Sequence, residues 1–269
     1  MRIGEIDSIA THGSSGLHAA APGAKLFAFA LVLGAVVVSN NLLLLLAVLF
    51  ALLALVTWAR LPLRRMLPLA LYSGIFTALF ALAIAPGWLG AALFVGKAIT
   101  AAFAAVTLLF TTPYPFVFAP IQRYLPAVLG DALLMTYRSL FLMIGRFDQM
   151  SMAARLRAGL LGAGPLRTAR VLAHCLGGML LYTVDLSQRT YDIMRIRGYD
   201  GRLSVHLPRS QRPVANGALV LGAFGLFAAS LTWRIAWRTL NPYSCIPALL
   251  ASLALVTVAV IACFRKVRI

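Results

Sequence analysis

Twelve arginines crowd the stretch from 138 to 212: Arg138, Arg146, Arg155, Arg157, Arg167, Arg170, Arg189, Arg195, Arg197, Arg202, Arg209 and Arg212. They make up half of the chain's 24 Lys and Arg. A guanidinium is planar and permanently charged. Its fork of donors grips carboxylates, phosphates or the free carbonyls of a helix end two at a time. The acids of the same stretch are only Asp148, Asp185, Asp192 and Asp200, so most of these arginines have no counter-charge nearby in sequence. They are suited to hold something outside the chain, either a pocket on a protein surface or anionic lipid headgroups. Two groups share a layout: Arg155-Leu156-Arg157-Ala158-Gly159 and Arg195-Ile196-Arg197-Gly198. Each closes a segment that is apolar early and polar late, and each is followed by a small residue.

Other chemistries leave no trace. There is no GxxxxGK[ST] loop, so the chain does not hold ATP in that manner by itself, and there is no HExxH or GxSxG. His12, His18, His174 and His206 are scattered, and His12 and His18 lack a third close ligand for a metal. Cys175, Cys245 and Cys263 are odd in number and widely spaced, without a CxxC, and read as reduced thiols packed among helices. The first four apolar runs contain no Asp or Glu, the group a proton- or cation-coupled carrier usually needs. The residues point to no enzyme, no cofactor and no metal site.

The elements that must position the arginines follow from composition. The 269 residues are 61% apolar and only 12% charged, with a mean hydropathy of +0.90. A soluble domain carries roughly twice that charged fraction, so the surplus apolar surface requires lipid. The net charge of +17 does not indicate nucleic acid, because the basic residues lie mainly between apolar runs, where the positive-inside rule places them.

The expected fold is an all-α integral membrane protein, with four N-terminal membrane helices, a cytoplasmic helical platform and one or two C-terminal membrane helices. Residues 1–24 form a cytoplasmic N-terminal segment with no cleavable signal. Residues 25–110 hold runs at Leu26–Val38, Leu42–Trp58, Leu67–Ala85 and Trp88–Phe110. The loop with Arg60, Arg64 and Arg65 faces the cytoplasm, and the turns at Ser39–Asn41 and Pro86-Gly87 face outside. Lys97, inside the fourth run, is expected to snorkel or to meet a helix end.

Residues 111–212 form the platform. Prolines at 113 and 115 break the chain. Two long amphipathic helices follow, at about Leu133–Ala158 and Leu166–Arg197, with Gly198 as the stop. Residues 213–269 hold two further apolar runs and a basic tail. If the first of these, Ala218–Trp237, spans, then Arg234 and Arg238 face outward against the charge rule. A membrane-surface or re-entrant course is the alternative.

At these residues the chain resembles the transmembrane T component of energy-coupling factor (ECF) transporters, the CbiQ/EcfT family, in its cobalt-type branch. Ser15-Gly16-Leu17-His18 and Pro22-Gly23-Ala24-Lys25-Leu26 resemble the family's approach to its first helix. Thr111-Thr112-Pro113 with Leu125-Pro126 resembles the opening of its coupling domain, and Tyr137-Arg138 its Tyr-Arg pair. Met194-Arg195-Ile196-Arg197-Gly198-Tyr199 resembles its second Ala-Arg-Gly coupling motif. Leu156-Arg157-Ala158 stands where the first would be, with Ala in place of Gly and Arg155 as a competitor.

The resemblance implies a coupling subunit of an ABC importer. Arg157, Ala158, Arg197 and Gly198, with Arg155 and Arg195, would contact two ABC ATPase subunits. A membrane S component, the metal-binding subunit, would select the substrate, and lipid would surround the spans. It implies the cell inner membrane, multi-pass, and uptake of cobalt or nickel. A T component serving a vitamin S subunit, or a membrane enzyme acting on anionic lipid, is the alternative.

Overall fold

The computed structural model describes residues 17–18, 20–84, 87–113, 116–118, 120, 126–158, 165–201, 213–236 and 243–267. Among them lie eight long helices and no strand: α1 (Pro22–Val38), α2 (Leu42–Trp58), α3 (Leu63–Ile84), α4 (Trp88–Thr111), α5 (Ala127–Ala158), α6 (Pro165–Ile196), α7 (Pro213–Ile235) and α8 (Cys245–Val267). The chain divides into two units, Met1–Val117 with Leu207–Ile269, and Phe118–His206.

In the first unit α1, α2 and α4 pack against one another. Each carries a further helix: α7 lies on α1, α8 on α2 and α3 on α4. Leu45, Val48, Val56, Met66, Phe103 and Phe110 are fully buried between them. Small residues let the backbones approach. Ala104 is buried, and a side chain at Gly34 would strike the Phe227 ring of α7 at 2.9 Å. Thr100, Thr107 and Thr111 return their hydroxyl protons to carbonyls one turn back, which satisfies them where no water is available. By contrast, Tyr72, Ile75, Phe76, Leu79 and Phe80 of α3 are exposed, an apolar face that only lipid or another membrane surface covers.

The turns follow their sequences. Asn41 caps α2 by accepting the Leu43 amide at 3.0 Å, so the Ser39–Asn41 break separates two helices as expected. At 17 residues, α1 and α2 are each roughly 25 Å long, a little under the hydrocarbon core of about 30 Å. α3, α4 and the segments Val128–Ala154 of α5 and Ala215–Ile235 of α7 have the length and hydropathy to cross it.

The direction of α7 follows that of α1. Asn216 Oδ1 accepts the Ala21 amide at 2.8 Å, Phe227 meets Gly34, and Arg234 donates to Val38 O at 3.4 Å. The offset between paired residues is nearly constant, so α7 runs parallel to α1 along its whole length.

Candidate functional site

The second unit is a helical hairpin. Tyr199 donates to Asp131 Oδ2, the Arg146 guanidinium lies 5.4 Å from the centre of the Tyr182 ring, and Cys175 Sγ reaches Met150 O at 4.0 Å. As the α5 number rises the α6 number falls, so the helices are antiparallel. α5 begins at Ala127, six residues before the expected Leu133, because the Pro126 carbonyl accepts from the first amides of the turn, those of Leu129 and Gly130. α6 begins on Pro165, where a missing N–H costs a helix nothing.

Antiparallel pairing has a consequence for the arginines. Arg155 and Arg157 stand in the last turn of α5, and Arg195 and Arg197 at the end of α6. The two groups therefore lie at opposite ends of the hairpin, on the order of 40 Å apart along helices of this length. The structure brings Arg195, Arg197 and Gly198 together and keeps them apart from the other group. The side chains of Arg155, Arg157 and Ala158, the linker 159–164 and the loop 202–212 lie outside the described residues.

The end of α6 is built in detail. The Tyr199 amide bonds to Met194 O at 3.0 Å and the Gly198 amide to Arg195 O at 3.2 Å, while Gly198 adopts φ +73°. These two bonds with a left-handed residue are a Schellman cap, which satisfies the last carbonyls of a helix. Arg197 is its C-cap residue, and both Arg195 and Arg197 are exposed. Below them Asp131 is buried, 5% exposed, and ties the residue after the cap to the first turns of α5. Hydrogen bonding to Asp131, with desolvation and the charges of Asp131 and Asp200, holds the Tyr199 hydroxyl above its ordinary pKa.

This joint was not anticipated from sequence. The signal for it was present: Asp131 is the only acid between Asp7 and Asp148, and it falls one residue after a glycine at a helix start.

α6 exposes Leu172, Leu176, Leu180 and Val184. At steps of four they form one apolar row. Among the described residues no group of three His, Cys, Asp or Glu is placed to hold a metal ion.

The first unit has two clusters of its own. At one end Lys25 Nζ donates to Thr111 O at 2.9 Å and to His18 O at 3.3 Å, and His18 Nε2 lies 3.1 Å from Phe110 O. The N-terminal motif thus caps the last turn of α4. At the other end Lys97 Nζ donates to Val37 O at 3.1 Å and to Asn40 Oδ1 at 3.4 Å, beside Arg234 on Val38 O. Lys97 meets a helix end, one of the courses expected for it, and two cations share the negative C-terminus of α1.

The bundle of apolar helices, with a hairpin of arginine-tipped helices as its second unit, defines a multi-pass helical membrane protein. The chain belongs to the CbiQ family of cobalt transport proteins, whose model, described as "Cobalt transport protein", matches residues 13–207. That span covers nearly three quarters of the chain, from the Ser15–His18 motif through the cap at Gly198. The family is one of transport proteins, not of enzymes. No curated protein matches the chain.

Proposed function

We propose that the protein is the transmembrane T component of an ECF-type ABC importer for cobalt, or for nickel, in the cell inner membrane. In this reading residues 25–110 and 213–269 span the membrane, and residues 111–212 form a cytoplasmic coupling domain. Arg157 with Ala158, and Arg197 with Gly198, dock on two ATPase subunits, with Arg155 and Arg195 beside them. Movement of the ATPases on nucleotide binding displaces the hairpin. The hairpin in turn tilts a metal-binding S component, which releases its substrate inside.

One observation carries the reading. The arginine-bearing helix ends lie at opposite ends of an antiparallel hairpin, and the end whose side chains are described is exposed and capped. Ends so far apart can meet two separate subunits, whereas a single anionic ligand would need its arginines convergent. The apolar row from Leu172 to Val184 supports a second contact, since a protein rarely leaves such a face uncovered.

Replacing Arg157 and Arg197 together with Glu tests the proposal. The variant should still insert in the membrane but lose co-purification with the ATPase pair, and metal uptake with it. Wild-type yield of the complex and normal uptake in the double variant would sink the docking role. Retained assembly with lost uptake would shift the role from docking to transmission.

A further inference from the structure

Within the first unit, α1, α2, α4 and α7 leave a cavity of about 380 Å3 between them. Sites for small ligands occupy roughly 300–1,000 Å3. Val32, Leu52, Leu55, Leu108, Leu219 and Leu226 give it hydrocarbon walls. Thr107 and Thr111 also line it, but their hydroxyl protons go to Phe103 O and Thr107 O inside α4. Among the described residues the one charged group on the wall is Lys25, which is 6% exposed.

The ammonium has three N–H donors, and its partners are two neutral carbonyls, Thr111 O and His18 O. No carboxylate among the described residues reaches it. The only acids in the sequence of this unit are Glu5 and Asp7, both outside the described residues. A buried charge without a counter-charge is costly. The next residue of α4's end, Thr112, buries its hydroxyl with no hydrogen-bond partner among the described residues.

We propose that this cavity is a binding site for one anionic phospholipid, its acyl chain in the cavity and its phosphate against the Lys25 ammonium. The two features demand one kind of occupant. The walls are largely hydrocarbon, and a bilayer supplies hydrocarbon to fill them. The buried cation asks for a single negative charge at one end of that hydrocarbon. Lys25 lies in the first turn of α1 and touches the last residue of α4. The basic Arg60–Arg65 loop assigns that end of the bundle to the cytoplasmic leaflet, where anionic lipid is concentrated. Gly222 of α7 stands on the exposed rim, and a Cβ built there meets nothing within 4 Å, so the chain has a way in. None of this rests on the coupling mechanism.

The test uses the full-length protein, delipidated in detergent, with dioleoyl phosphatidylglycerol, dioleoyl phosphatidylcholine or decanoate added. Native mass spectrometry and thermal shift are the readouts. The wild type should retain one phosphatidylglycerol and prefer it roughly fivefold over phosphatidylcholine. Lys25→Gln should remove the preference and keep weaker binding of both lipids. Gly222→Leu narrows the cavity and leaves Lys25 in place, so it should weaken both lipids without unfolding the protein. Equal retention of the two lipids by the wild type would mean that Lys25 only caps α4, and the proposal falls. It falls also if Gly222→Leu binds like the wild type, or if decanoate binds and phosphatidylglycerol does not. Should Lys25→Gln fail to fold, the headgroup preference of the wild type and the Gly222→Leu variant decide the matter.

Discussion

The sharpest consequence concerns Gly198, because the chain contains its own control. The same Schellman cap closes α2. There the Leu61 amide bonds to Val56 O at 3.2 Å and the Arg60 amide to Thr57 O at 3.1 Å. The left-handed position is held by Arg60, at φ +55°. A residue with a Cβ pays about 1–2 kcal/mol in that conformation, and Arg60 demonstrates that this fold tolerates the strain. A Cβ at Gly198 meets nothing within 4 Å, so Gly198→Ala adds the dihedral cost and no clash, about 1 kcal/mol. That opens the last turn of α6 roughly fivefold more often.

Hydrogen exchange should then quicken about fivefold at the amides of Gly198 and Tyr199 and stay unchanged in the middle of α6. Capture of the ATPase subunits should weaken by no more than the same factor. Gly198→Asn should fall between the two, since Asn tolerates the left-handed region. In the opposite sense Arg60→Gly should relieve strain and stabilise α2's end by about 1 kcal/mol. Unchanged exchange in Gly198→Ala would refute the cap. A loss of ATPase capture of a hundredfold or more would refute the dihedral account and point to a clash between the added methyl group and the docked subunit.

Three further outcomes are expected. In intact cells a membrane-impermeant maleimide should modify Cys245, which is exposed at the first residue of α8, and should reach Cys175 only after permeabilisation; the reverse pattern inverts the topology. The raised pKa of Tyr199 comes from donating to Asp131, so the joint is intact below the ordinary tyrosine value of about 10 and is lost as pH rises through the raised one. Exchange at the end of α6 should therefore quicken in strong alkali, and Tyr199→Phe, which lacks the bond throughout, should show no such pH step. Arg234→Gln should lower stability by about 0.3–1 kcal/mol through loss of a cation at the C-terminus of α1; a loss in thermal melts that is undiminished in molar salt would contradict an electrostatic origin.

Much of the fold could be read from sequence because lipid makes hydropathy decisive. The breaks at Ser39–Asn41 and at Pro165 fall where helices end and begin, and Gly198 stops α6 as its residue type requires. The course of Ala218–Trp237 could not be read, and the reason is specific. The charge rule counts Arg234 as a residue facing outward, yet it does not ask what the guanidinium touches. Arg234 sits on Val38 O, and Lys97 on Val37 O. A cation that neutralises a helix end is a smaller exception to the rule than a free one. The contact spans nearly two hundred residues, so no local window contains it. The Asp131–Tyr199 joint was hidden for the same reason, since pairing across a hairpin depends on where both helices begin.

The ambiguity of α5 follows from the same physics. Val128–Ala154 is long and apolar enough to cross a bilayer, while its neighbour α6 carries Asp185, Arg189, Asp192 and Arg195 in its second half. Hydropathy measures the demand for a non-aqueous neighbour and is silent on which neighbour meets it. For α5 the hairpin meets part of that demand at Met150 and Tyr182, but Leu129, Leu140, Leu142 and Met152 stay exposed. An antiparallel partner with charges along its far half would have to drag them into lipid if α5 crossed with α6 alongside, at a cost of a few kcal/mol for each unpaired charge. The Arg189–Asp185 pair, 3.1 Å apart and largely exposed, is the kind that water tolerates and a hydrocarbon core does not. A hairpin with exposed apolar rows and charges toward its helix ends is therefore best satisfied at a boundary, with partner protein or membrane surface on its apolar side and water on its charged side.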